Sequence, residues 1–142
     1  TGERKRLEKR LTEHDASALP KKLHGYLLDL YKRVSKANVG FRRETMPALL
    51  FRFVLDMESI LRNCYRALRP GGDAMVVIGD NRMRVGHDYE RIATTDFVQE
   101  IAIASDFKMV ERMDISVTTE NLVHMKNAIT ENVVLWLCKP TR

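Results

Sequence analysis

"RALRPGGDAMVVIGDN" (residues 66–81) is the stretch on which the fold turns. A polar helix end runs into Pro70-Gly71-Gly72, then an apolar run, then Gly79-Asp80-Asn81. Proline disfavours helical geometry at Arg69 and brings no N–H to continue the helical ladder. The glycines permit the positive φ of a tight turn. The continuous apolar run "AMVVIG" (74–79) then predicts a strand covered on both faces. A helix that stops on a turn and feeds a buried strand is the joint of an α/β fold.

Upstream of that joint, Leu49, Leu50, Phe53, Val54, Met57, Ile60, Leu61, Cys64, Tyr65 and Leu68 form one apolar stripe at helical spacing. Thr45 is expected as its N-cap, with Pro47 in the first turn, where proline is tolerated. Residues 37–44, with Gly40 and the Arg42-Arg43 pair, read as a loop. Before it lie two helices. One covers residues 1–15, and the other carries Leu23, Leu27, Leu30, Tyr31 and Val34 and is capped by Ser17.

Downstream, residues 80–93 read as a long polar loop centred on Gly86. Thr94 or Thr95 is expected to cap a short helix bearing Phe97, Val98, Ile101 and Ala102. "FKMVERMDISVT" (107–118) alternates and predicts a strand with Met109, Met113, Ile115 and Val117 on one face, Glu111 breaking the pattern. "VVLWLCK" (133–139) predicts a second buried strand, with Trp136 in the core. Three strands, two of them apolar on both faces, leave a greasy edge that a self-contained sheet avoids. The expectation is part of a larger sheet.

The chain has 142 residues, enough for one domain with a real core. With 44% hydrophobic and 30% charged residues it reads as globular rather than disordered. Its apolar runs are too short to span a bilayer and none reads as a secretory signal. Cys64 and Cys138 sit in apolar segments and read as free thiols, so a cytoplasmic setting is expected. The net charge of +5 is uneven. Residues 1–45 hold 12 Lys and Arg against 6 Asp and Glu, whereas residues 46–142 hold 12 against 13. A basic helical segment (1–45) beside a near-neutral one suits a phosphate-rich partner. Arg4, Lys5, Arg6, Lys9, Arg10, Arg42 and Arg43 are the candidate phosphate contacts; a solvated helix face is the alternative.

"ILRNCYRALRPGGDAMVVIGDN" (60–81), the capped helix, "DFKMVERMDI" (106–115) and "ITENVVLWLCK" (129–139) together resemble the last third of a class I S-adenosylmethionine-dependent methyltransferase. The resemblance is closest to prokaryotic DNA methylases that modify an exocyclic amino group of adenine or cytosine. It covers residues 46–140. "LRPGG" points to the fold, and "HMKNAITENVVLWLCK" (124–139) to the DNA-methylase branch. The resemblance implies a partial Rossmann-like sheet whose last strand inserts antiparallel between the other two. Residues 46–142 would be the C-terminal part of a methyltransferase domain, preceded by the helical segment. It also implies S-adenosylmethionine as cofactor, DNA or RNA as partner, and a restriction-modification setting.

The sequence departs from that family at two motifs. The Asp/Asn/Ser-Pro-Pro-aromatic catalytic tetrapeptide is absent, since no Pro-Pro pair occurs in the 142 residues. The glycine-rich cofactor loop that follows a first strand is absent too; "PGGD" precedes a strand. Both motifs are expected in a missing N-terminal portion, in a permuted C-terminal one, or on a partner chain. No catalytic residue is assigned within the chain, and the cofactor-binding residues stay unknown.

Ligands of open α/β sheets bind beyond the carboxyl ends of the strands. Asp80 and Asn81 occupy that place and suit the polar edge of an extruded base, with Arg82 and Arg84 meeting phosphates. A strand-end turn with an Asx cap is the plainer reading of Asp80 and Asn81. By resemblance, His124, Lys126 and Asn127 return to the same face; an ordinary polar loop is their plainer reading. His87, Asp88 and Glu90 have no second His or Cys at metal spacing, so no metal site is expected. The rivals to a DNA methyltransferase are an RNA methyltransferase with the same sheet, a non-catalytic nucleic-acid-binding module, and an interaction subunit that completes a partner's sheet.

Overall fold

The computed structural model describes residues 2–13, 19–116 and 131–141. In chain order the elements are α1 (Gly2–Thr12), α2 (Lys21–Lys36), α3 (Phe41–Glu44) and α4 (Met46–Ala67), then β1 (Asp73–Ile78), β2 (Asn81–Val85) and β3 (Asp88–Ile92), then α5 (Thr94–Ala104), β4 (Lys108–Ser116) and β5 (Glu131–Cys138). The main sheet has the order β1-β5-β4, and β5 is antiparallel to both neighbours. The expected order of the three strands, with the last one central, is therefore what the chain adopts. β1 and β4 run in the same direction and are separated by β5.

One face of this sheet is covered. Leu135 and Leu137 of β5 are fully buried, opposite Val76 and Ala74 of β1. They join a core built from α1, α2, α4 and α5 through Leu11, Leu23, Leu27, Leu30, Phe51, Val54, Leu61, Val98 and Ile101. The apolar stripe of α4 is thus a core face, as its spacing predicts, although Leu49 and Ile60 at its margins are exposed. The C-terminus of α4 is held by Lys139, whose Nζ donates to the carbonyl oxygens of Tyr65 and Leu68, each at 2.9 Å. The same ammonium lies 4.7 Å from the centre of the Tyr65 ring. Lys139 also ties down the Pro-Gly-Gly turn: Gly71 N–H donates to its carbonyl, and its N–H donates to Gly72 O. The turn requires glycine at two points. Gly71 has φ +78°, and a Cβ on Gly72 would stand 2.9 Å from Arg69 O.

The other face is open, which corrects the expectation of strands buried on both sides. Met75 and Val77 are 56% and 59% exposed. In register with them stand Trp136 and Val134, and beyond those Glu111 and Met113. Trp136 is half-buried on this outer face rather than in the core, and its indole N–H is buried without an acceptor among the described residues. Cys64 and Cys138 are free thiols, half-buried.

β4 departs from simple alternation. The register slips between Met109, opposite Leu137, and Glu111, opposite Trp136. A bulge adds one residue, and after it every side chain changes face. Met109 therefore packs on the core, while Met113 and Ile115 lie on the outer face with Glu111. Arg112 takes the inner side and donates to Asp96 Oδ1 (2.7 Å) and Gln99 Oε1 (3.0 Å) of α5. Val117 lies outside the described residues.

Three further expectations change. Residues 37–44 include the one-turn helix α3. Thr45 is not an N-cap: its backbone is helical, and its hydroxyl donates back to Phe41 O at 2.6 Å, so α3 runs on into α4. Residues 80–93 form the antiparallel hairpin β2–β3, not a loop. Ser17 falls outside the described residues.

Candidate functional site

The carboxyl ends of β1 and β4 and the start of β5 lie at one end of the sheet, since Ile78 pairs with Val133 and Ser116 with Glu131. Asp80 and Asn81 follow directly from β1. Asp80 Oδ1 accepts the backbone N–H of Thr95 at 3.0 Å, and its Oδ2 accepts from Arg91 Nε at 2.6 Å. Thr94 and Thr95 are thus not the caps of α5; both are buried, and the capping carboxylate comes from Asp80, fifteen residues earlier. Burial opposes ionisation of Asp80, but the Thr95 N–H and the Arg91 guanidinium outweigh it and hold the carboxyl below its ordinary value. Asn81 Nδ2 donates to Thr94 Oγ1 at 3.2 Å.

The hairpin is fastened on its inner side. Met83 and Ile92 are buried in the core. Glu90 accepts from Arg33 Nη1 (2.6 Å) and Nη2 (2.9 Å), and from Tyr26 OH (3.0 Å), all on α2. The hydrogen bonds from Arg33, aided by Tyr26, keep the Glu90 carboxyl below its usual range. Burial, reinforced by the neighbouring Glu90 charge, pushes the Tyr26 phenol up to about 12.

The structure brings Asp80, Asn81 and Arg91 together at the end of the sheet, and places Arg82 and Arg84 on the outward side of the hairpin that follows. His124, Lys126 and Asn127 lie outside the described residues, between Ser116 and Glu131, which both stand at this end. The basic residues of the first segment form a separate group. α1 packs on α2 and α4, and α3 joins the same pair. Lys5, Arg6, Lys9, Arg42 and Arg43 are exposed. Arg4 pairs with Glu8 at 2.6 Å, and Arg10 lies 5.9 Å from the centre of the Phe51 ring. A depression of about 450 Å³ between α1 and α4 carries Glu3, Asp56 and Glu58 beside Arg6, Arg10 and Arg52. Its charges balance, so it is no anion pocket.

Tyr89 and Arg91 escape a reading of the sequence alone. The signal is present in "NRMRVGHDYERI", where Met83 and Val85 alternate with Arg82 and Arg84 around Gly86-His87. Gly86 has φ +64°, the conformation a two-residue hairpin turn asks of its first position. Among the described residues no group of three His, Cys, Asp or Glu could hold a metal ion, and no helix is long and apolar enough to cross a membrane.

No family model matches the chain, and no curated protein does. Solved structures do. Two crystal structures of a protein from Thermus thermophilus, provisionally named a DNA modification methylase, share its fold, each with a TM-score of 0.51. One is a selenomethionine derivative, 18% identical; the other is complexed with S-adenosyl-L-methionine and is 20% identical. Each match covers 63% of this chain and 37% of that one. The chain thus carries part of a methyltransferase-like α/β fold and spans little more than a third of the structures it matches.

Proposed function

We propose that this chain is the C-terminal part of an S-adenosylmethionine-dependent DNA methyltransferase acting on an exocyclic amino group of adenine or cytosine. The observation that carries the reading is the half-covered sheet. Met75, Val77 and Ile115 stand exposed on its outer face beside the half-buried Val134 and Met113, in a fold of which this chain holds one part. Burying such a face against the rest of a domain stabilises by about 25 cal/mol per Å² of apolar surface.

The Pro-Gly-Gly turn does not fit the cofactor. The one glycine pair is engaged by the sheet, with Gly71 N–H and Gly72 O both bonded to Lys139. No backbone cradle remains there for S-adenosylmethionine, so its binding and the transfer step belong to the remaining portion or a partner chain. What this chain contributes is the end of the sheet. Asn81, and Asp80 through the lone pairs that Thr95 and Arg91 leave unused, would present polar edges to a base drawn from the stack, with Lys126 and Asn127 as further contacts. The exposed cations Lys5, Arg6, Lys9, Arg42 and Arg43, with Arg4 and Arg10 beside them, would position the duplex through its phosphates without reading sequence.

The test begins with the coding sequence flanking residues 1–142, where a Pro-Pro-aromatic tetrapeptide and a glycine-rich loop are expected. The longer chain, or this chain reconstituted with the missing portion, should transfer a labelled methyl group to duplex DNA. The 142-residue chain alone should transfer none and bind S-adenosylmethionine weakly in calorimetry. Micromolar cofactor binding or turnover by the 142 residues alone would overturn the division of labour. Labelling of RNA in preference to DNA would overturn the substrate.

A further inference from the structure

We infer that the outward face of the β2–β3 hairpin is a docking surface for single-stranded DNA, with Tyr89 stacking on an unstacked base while Arg82 and Arg84 hold the adjoining phosphates. This deepens the reading above and rests on it for the choice of DNA.

The pairing register sets the face. Arg82 stands opposite Arg91, and Arg84 opposite Tyr89. Residues two apart on a strand share a face, so all four project from the same side. The other side cannot exchange places with it, because Met83 and Ile92 are buried and Glu90 is bound by Arg33 and Tyr26. Tyr89 is left 66% exposed. The guanidinium carbons of Arg82 and Arg84 lie 5.3 Å and 5.9 Å from the centre of its ring.

These two arginines differ from six others in the chain. Arg4, Arg33, Arg52, Arg62, Arg91 and Arg112 each have a carboxylate partner. Arg82 and Arg84 have none among the described residues, and Arg84 Nε is buried with no acceptor. An exposed ring flanked by two unneutralised guanidinium groups offers a π face and positive charge side by side. An acidic peptide would use the charge and leave the ring idle. A single strand uses both, since each nucleotide brings a flat base and an anion. The position agrees: the hairpin follows β1 directly, and Arg91 joins its outer face to Asp80 at the end of the sheet.

The experiment is fluorescence anisotropy of a labelled oligodeoxythymidine of about 12 nucleotides, within the span such sites cover, titrated with the full 142-residue chain. Tyr89→Ala should weaken binding about tenfold, the loss expected for one stacked base. Tyr89→Phe keeps the ring and should stay within about twofold on the same grounds. Joint replacement Arg82→Gln and Arg84→Gln should weaken binding and lower the slope of log K against log salt by roughly 1.4, about 0.7 per phosphate of a single strand. Circular dichroism checks that each variant retains its fold. Unchanged affinity in Tyr89→Ala and in the double variant would overturn the inference, as would failure of the wild-type chain to bind at low salt. Equal competition by oligoglutamate, or tighter binding of the matching ribo-oligomer, would overturn the partner. None of these outcomes touches the methyltransferase reading, which stands or falls on methyl transfer by the longer chain.

Discussion

Asp80 Oδ1 accepts the backbone N–H of Thr95 at 3.0 Å, so a residue at the end of β1 caps the first turn of α5. A helix begins with N–H groups that have no intrahelical partner, and a carboxylate there also meets the positive end of the helix dipole. The contact fixes the geometry of the whole strand-end site. Asp80→Ala should therefore cost about 1–2 kcal/mol in urea unfolding, and Asp80→Asn, which keeps an accepting oxygen, markedly less. Equal losses would mean that the charge contact with Arg91, rather than the cap, holds this corner.

The fastening of the hairpin predicts its response to pH. Glu90 and Asp80 have lowered carboxyl values in the folded chain. Their stabilisation is present above the ordinary carboxylate range and is lost as pH falls from about 4 through the lower folded values. Thermal melting followed from about pH 7 to about pH 2.5 should show this fall, and Glu90→Gln should flatten it. Tyr26 has the opposite sign. Its value is raised to about 12, so its contribution is full below about pH 10 and fades between the two. Ultraviolet titration of wild type against Tyr26→Phe should assign the last phenol to ionise to Tyr26.

α5 ends on a strained residue. Asp106 has φ +72°, the N–H of Asp106 donates to Ile103 O, and that of Phe107 to Ala102 O. This paired pattern is the helix ending that favours glycine at its left-handed position. Asp106→Gly should stabilise the chain by about 1 kcal/mol, read from the urea midpoint at constant slope.

The two faces of the sheet should answer mutation differently. Leu137→Ala removes a fully buried side chain and should cost about 3 kcal/mol. Met75→Thr with Val77→Thr touches only the open face and should change the stability of this chain by less than about 1 kcal/mol. The same pair should abolish reconstitution with the missing portion. Reconstitution unaffected by the pair would show that this face is not the seam.

Lys139 should prove more costly to remove than a surface lysine. Lys139→Met keeps the aliphatic stem but frees the Tyr65 and Leu68 carbonyls, and a loss of about 1–2 kcal/mol in unfolding free energy is expected.

Elements whose signal is local could be read from the order of residues. Pro70-Gly71-Gly72 ends α4 because proline brings no N–H and glycine alone fits the turn. The apolar stripe from Leu49 to Leu68 marks a core helix, and the apolar runs of β1 and β5 mark strands. The antiparallel insertion of β5 between β1 and β4 was legible only through the family resemblance. Which face each side chain takes depends on packing between distant elements. The extra residue at Val110 turns Met113 and Ile115 away from the core, and no local property of "KMVERM" distinguishes that bulge from straight alternation. Tertiary structure also placed the cap of α5 on Asp80, because that contact depends on where the helix begins in space and not on the residues beside Asp80 in the chain. The hairpin was hidden for a related reason. Its strands are short and polar outside. They become strands because Met83 and Ile92 find the core and Glu90 finds Arg33, a partner 57 residues away along the chain.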